Sequence, residues 1–128
     1  MRFICWCWKG RGFWKRTANY GGEHIAVLAS MLERHGGHKL SCVNDGSIII
    51  PAGVNSIAMP PKVAALPDYL PKLWAWSEEL HDRIGERFAS IDLDVVIAGD
   101  LAPILQTRHP IRLWNKAAME RYNTSLFS

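Results

Sequence analysis

The chain has 128 residues, 48% of them hydrophobic and 21% charged, which suits one globular domain and excludes a disordered tract. No apolar run reaches the ~18 residues of a membrane-spanning helix, and the opening run Phe3–Trp8 is too short for a signal-peptide core. Three cysteines are too few for a disulfide scaffold, so a reducing, cytoplasmic location and no membrane span are expected. The net charge is +3, but residues 1–20 hold five basic residues and no acid, while the remainder has ten basic and twelve acidic residues. The positive field therefore sits near the N-terminus, where it suits a phosphate-bearing partner or a solvated basic loop.

In chain order, the aromatic-rich segment 2–8 predicts a strand. Gly10, Gly12 and their basic neighbours predict a loop to about Tyr20. Ile25, Leu28, Ala29 and Leu32 recur at helical spacing, so a helix is expected over Glu23–Arg34, stopped by Gly36 and Gly37. Lys39–Val43 reads as a second strand ending at Asn44-Asp45-Gly46, and Ser47–Ile50 as a further short strand. The proline-rich stretch Pro51–Pro71 predicts a long irregular loop. A helix is expected from Pro71 to about Leu80, with Leu73, Trp76 and Leu80 on one face. Phe88–Ile91 reads as a buried strand running into Asp92-Leu93-Asp94, and Val95–Ala98 continues apolar. Asp100 predicts a cap for a short helix over 101–106. Ile111–Trp114 predicts a strand, Ala117–Arg121 a helical turn, and Asn123–Phe127 the start of a last strand. This alternation predicts an α/β domain, a mostly parallel, Rossmann-like sheet flanked by helices, with ligands beyond the carboxyl ends of the strands. Three polar clusters fall at such ends: Lys9–Arg16, Asn44-Asp45 and Asp92–Asp94.

Asp92-Leu93-Asp94 carries the sharpest chemical signal. In an extended segment, carboxylates at i and i+2 point to one side, repel each other and attract a cation. Hard oxygen ligands favour Mg²⁺ or Mn²⁺, ions that also bind phosphate oxygens. The competing reading is a pair of solvated turn residues. The apolar flanks, Ile91 and Val95-Val96-Ile97, favour the metal, because idle carboxylates there would be costly.

Phe88-Ala-Ser-Ile-Asp92-Leu-Asp94-Val-Val-Ile-Ala-Gly-Asp100-Leu resembles the metal-binding stretch of bacterial glycosyltransferases of the GT-A fold, the nucleotide-diphospho-sugar transferases. Trp8-Lys9-Gly10 and Tyr20-Gly21-Gly22-Glu23-His24 are similar to that family's nucleotide-side loop, and Cys42-Val43-Asn44-Asp45 to its second-strand end. Leu70-Pro71-Lys72-Leu73-Trp74 resembles the segment before the metal strand, and Tyr122-Asn123-Thr124-Ser125-Leu126-Phe127 the asparagine-containing strand after it. The pieces occur in the family's order over nearly the whole chain.

The resemblance implies a GT-A-like, donor-binding N-terminal portion, truncated on its C-terminal side, that transfers a sugar from a nucleoside diphosphate sugar to an unknown acceptor. It places a Mn²⁺ or Mg²⁺ ion on Asp92 and Asp94, with Asp92 also toward the ribose. Asn44 or Asp45 would lie near the base, Trp8 or Tyr20 would pack on it, and Lys9, Arg11, Lys15 or Arg16 would contact the diphosphate. Lys72 would approach the donor and Asn123 the sugar or acceptor. The groups that the later half of such enzymes supplies have no counterpart here, and Ser90 stands where an apolar residue is usual. The open sheet edge of such a portion is expected to suit a homo-oligomer.

Two other readings share these residues. Asp92-x-Asp94 after an apolar strand also fits the nucleophile and acid of HAD-type phosphatases, but no later lysine with paired acids follows. Trp6, Trp8, Phe13 and Trp14 interleave with Lys9, Arg11, Lys15 and Arg16 as in a nucleic-acid-binding module, although a strand facing a core explains the tryptophans as well. Cys5, Cys7 and Cys42 read as buried reduced thiols rather than a zinc site. The scattered histidines form no catalytic pair, and Gly10-Arg11-Gly12 lacks the third glycine of a dinucleotide fingerprint.

Overall fold

The computed structural model describes residues 2–9, 20–85, 87–106, 113–116 and 121–127. Its elements are β1 (Arg2–Cys7), α1 (Gly22–Arg34), β2 (Leu40–Asn44), β3 (Asn55–Ala58), α2 (Pro61–Ala64), a 3₁₀ helix (Leu70–Trp76), α3 (Glu78–Ile84), β4 (Phe88–Ile91), α4 (Ala102–Leu105), β5 (Leu113–Lys116) and β6 (Arg121–Phe127). The strands form one sheet in the order β3-β2-β1-β4-β6-β5. The first four are mutually parallel, and β6 runs antiparallel to both β4 and β5. The expected α/β class is therefore present, with an antiparallel pair on one side.

β1 is central because it can be buried on both faces. Phe3, Cys5 and Cys7 point into one core with Ile25, Leu28 and Leu32 of α1, and with Leu40, Cys42, Ala89 and Ile91. Ile4 and Trp6 point into the other core, with Val43, Ile57, Val63, Trp74, Leu80 and Ile84. A strand inside a parallel sheet reads as a continuous apolar run for this reason. Ser90 joins the second face: its hydroxyl lies 2.9 Å from the Trp6 indole nitrogen, which donates to it in the dry interior. The residue that looked out of place satisfies a buried donor.

α1 begins where Gly22 lets the backbone approach the crossover after β2; a Cβ at Gly22 would lie 2.7 Å from the Ile49 carbonyl oxygen. The helix ends as expected, with Gly37 in the left-handed region at φ 66° and its amide donating to Glu33 O at 2.9 Å. Ile48, Ile50 and Val54 pack on the α1 side, so the β2–β3 crossover covers the same face as α1. From β3 the chain returns past β1 to β4, and a right-handed crossover in that reversed direction must use the opposite face. α2, the 3₁₀ helix and α3 lie there. The chain reverses its winding direction between β1 and β4, and this is the topological switch point of the sheet.

Three expectations need correction. Ser47–Ile50 is not a strand, and the stretch expected to be irregular holds β3, α2 and the start of the 3₁₀ helix. β3 escapes a pattern search because only Ile57 of its four residues is buried. The helix expected over 71–80 is two helices. Ser77 leaves helical geometry and caps α3, its hydroxyl accepting from the Leu80 amide at 3.2 Å. The 3₁₀ period of three buries Pro71 and Trp74 and turns Leu73 and Trp76 outward, so Leu73 and Trp76 do not share a buried face with Leu80. The short helix near 101–106 is α4, and the Asp100 carboxylate accepts from the Ala102 amide at 2.8 Å. The last expected strand is β6, and the one expected over 111–114 begins among the described residues at Leu113. The turn expected over 117–121 lies outside the described residues except for Arg121, which opens β6. Among the described residues, no helix is long and apolar enough to cross a membrane.

Candidate functional site at the switch point

The carboxyl ends of β1, β2 and β4 lie together at one end of the sheet, where sheets of this topology have their ligand crevice. β2 delivers Asn44 and Asp45. Asn44 is buried, and its amide group is committed internally: Nδ2 donates to Cys42 O at 3.1 Å and to Ser56 Oγ at 2.9 Å, and Oδ1 accepts from the Gly46 amide at 3.0 Å. It locks β2 to β3. Asp45 joins two strand ends: Oδ2 accepts from the Lys9 amide at 3.0 Å, while Oδ1 accepts from the Ser47 amide at 3.0 Å and from the Ser47 hydroxyl. Partial burial works against its ionisation, but the Ser47 and Lys9 hydrogen bonds outweigh it and hold the carboxyl below its ordinary range. Ser47 was not among the residues singled out in the sequence, although Asp-x-Ser is a recognisable local turn signal.

β1 delivers Trp8 and Lys9. Trp8 packs at the margin of the second core with its indole nitrogen buried and without a partner among the described residues. Lys9 is exposed. Arg11, Lys15 and Arg16, with Phe13 and Trp14, lie outside the described residues. Tyr20 enters α1 above the end of β1, with its carbonyl 3.7 Å from Cys7 Sγ and its ring edge-on to His24 at 5.1 Å. His24 accepts the Gly21 amide on Nδ1 at 3.1 Å and thereby covers a free donor at the start of the helix.

β4 delivers the two aspartates, but not in extended geometry. The strand ends at Ile91, and Asp92–Val95 form a turn in which the Val95 amide reaches Asp92 O at 3.3 Å. A turn, and not alternation along a strand, therefore sets how the two carboxylates stand to each other. The turn still leaves both carboxylates near enough to Tyr20 to act on it. The Tyr20 hydroxyl is pushed up by partial burial, by the charges of Asp94 and Asp92, and by a hydrogen bond with Asp94. Leu93 and Val95 anchor the turn on the α1 side and Ile97 is buried, whereas Val96 is 80% exposed. The apolar flank is thus partly anchor and partly surface.

From the opposite layer, Lys72 in the 3₁₀ helix reaches Asp92 and forms an ion pair with Oδ1. Each side chain is 24% exposed, so the pair lies in the crevice wall. β6 pairs with β4 through Leu126 opposite Ile91 and Phe127 opposite Ser90. Asn123, in β6, lies beyond that pairing and stands opposite Trp114 of β5. The site residues thus fall into two groups. Asp92 is paired with Lys72, and the charges of both aspartates reach Tyr20, whereas Asn44 and Asp45 hold the neighbouring turn.

Among the described residues no group of three or more His, Cys, Asp or Glu side chains could hold a metal ion. The three thiols are free and buried, as expected. Compared with family models, curated proteins and solved structures, the chain gives no match.

Proposed function

We propose that the crevice binds a nucleoside diphosphate sugar together with Mn²⁺ or Mg²⁺, and that the chain is the donor-binding portion of a GT-A-type glycosyltransferase. The observation that carries the reading is the aspartate turn: two carboxylates follow immediately on the end of β4, beside the switch point, and one of them already holds a cation, Lys72. The order of the parallel strands and the two-sided helical cover are compatible with that fold.

The donor set also fits the ion. Mg²⁺-type ions keep most of their water and are bound through one or two carboxylates plus substrate phosphates. Two carboxylates without a third protein ligand therefore suit an ion shared with a diphosphate and not one caged by protein alone. Asp94, which is exposed, and Asp92 would hold it; when bound, it neutralises the charge that grows on a departing diphosphate. The residues of the chain supply the rest. Lys72 offers an ammonium at the same point. Trp8 and Tyr20 offer aromatic surface on the nucleotide side. The Asn44–Ser47 turn, braced through Asp45 to Lys9, fixes the rim on which a base would rest. Asn123 would serve the sugar or the acceptor. The open sheet edges would suit a second copy.

The phosphatase reading gains no support, because one oxygen of Asp92 is engaged by Lys72 rather than presented to a phosphorus atom. The nucleic-acid reading rests on a segment outside the described residues.

Calorimetry with a panel of nucleoside diphosphates tests the proposal. Binding of at least one of them should require Mn²⁺ or Mg²⁺, and Asp92→Asn and Asp94→Asn should each abolish it. Both variants should keep their fold, since asparagine keeps the size of aspartate and an oxygen for Lys72 at position 92, and Asp94 is exposed. Metal-independent binding, or single-stranded nucleic acid bound with a steep salt slope that the substitutions do not change, would overturn it.

A further inference from the structure

Lys72 and Asp92 are 20 residues apart in sequence and come from different elements, the 3₁₀ helix and the turn after β4, yet they share an ion pair on the carboxylate that a dication would need. An ammonium and a dication on the same carboxylate repel each other. A dication that takes the other oxygen of Asp92 is therefore weakened for as long as Lys72 keeps its place. The ammonium sits on a flexible four-carbon stem with three donors. It remains in the crevice, and a second anion there would take over as its partner.

We infer that Lys72 is a stand-in cation for Asp92 that weakens dication binding until a diphosphate takes over the ammonium. The inference rests on the nucleotide-sugar reading of this site. Without a diphosphate, the dication competes with an internal ammonium and loses a counter-charge for it. With a diphosphate, the ammonium moves from carboxylate to phosphate, and both cations are paired. The coupling is reciprocal: the dication strengthens diphosphate binding by the factor with which the diphosphate strengthens dication binding. Lys72 acts here as a positioning residue, and it guards Asp92 against metal in the absence of donor.

The test measures free Mn²⁺ by electron paramagnetic resonance, on the full chain, with and without inorganic pyrophosphate. Pyrophosphate carries no base or sugar, so the result does not depend on which donor the crevice selects. The unsubstituted chain should bind Mn²⁺ weakly alone and about tenfold or more tightly with pyrophosphate. Lys72→Met should bind Mn²⁺ alone about five- to tenfold more tightly than the unsubstituted chain, and the pyrophosphate enhancement should shrink by a similar factor. Lys72→Gln, which keeps a hydrogen-bonding head for Asp92, should show the same two changes, and Lys72→Arg should show neither. Unchanged Mn²⁺ affinity in Lys72→Met and Lys72→Gln, or an unchanged pyrophosphate enhancement, overturns the coupling and leaves the binding site standing. Failure of the unsubstituted chain to bind Mn²⁺ under either condition overturns both the coupling and the metal-dependent reading.

Discussion

Trp6 and Ser90 show how a single hydroxyl can decide a local environment. The register pairs Ile4 with Ser90, so Ser90 shares a face with Trp6, two residues further along β1. Ser90→Ala should leave the indole N–H buried without an acceptor and cost about 1–3 kcal/mol. A lowered urea midpoint at unchanged slope would show it; an unchanged midpoint would mean the indole finds another acceptor. Ser90 stood out in the sequence as a polar residue in an apolar run. Its partner did not, because it lies 84 residues away on a neighbouring strand. The aspartates show a related limit. Their position at the end of a strand was legible from Phe88–Ile91, but the turn that holds them was not. Nothing in Asp-Leu-Asp by itself chooses between continued strand and turn. Asn44 resembled a ligand residue because of where it sits, and only the cross-strand Ser56 contact reveals its structural task.

At the level of elements, legibility followed burial. β1, α1, β2 and β4 each bury several side chains and announce themselves by apolar runs or helical spacing. β3 buries one side chain, and its existence is decided by β2, which it extends in register from Ser41–Asn55 to Asn44–Ala58. The 3₁₀ helix was misread because its period of three and an α-helical period share their first contacts and diverge within two turns. Lys72 points into the crevice in the context of that tighter winding, with Pro71 and Trp74 anchoring its neighbours in the core. The start of α1 is constrained differently, by the close approach of the Ile49 carbonyl. Gly22→Val should force the crossover after β2 away from the helix and destabilise the fold by about 1–3 kcal/mol. Chemical denaturation measures this, and a neutral result would show that the 45–54 connection moves freely.

Across the whole molecule, Cys5, Cys7 and Cys42 lie in the same layer between the sheet and α1. Burial, then the nearby Cys42, Asp45 and Glu23 charges, push the Cys7 thiol up to about 12 from the ordinary 9.0. The folded chain therefore keeps this proton where the unfolded chain releases it. The stability so contributed is complete below pH 9.0 and is lost as pH rises toward about 12. Urea midpoints should fall between pH 8 and pH 10.5, and Cys7→Ala should fall less steeply. A variant as steep as the unsubstituted chain would place the alkaline sensitivity elsewhere.

The centre of the sheet joins distant parts of the polypeptide, since Arg2 lies opposite Phe88. During synthesis at ~5–20 residues per second, β1 emerges several seconds before β4 exists to pair with it. Throughout that interval β1 and β2 can meet through α1, but the other edge of β1 stays open and the Trp6 indole donates to water instead of Ser90. The nascent half-sheet therefore presents a sticky apolar ribbon until Phe88–Ile91 arrive, and β4 completes in one docking event both the interior and the mouth that its own aspartates line.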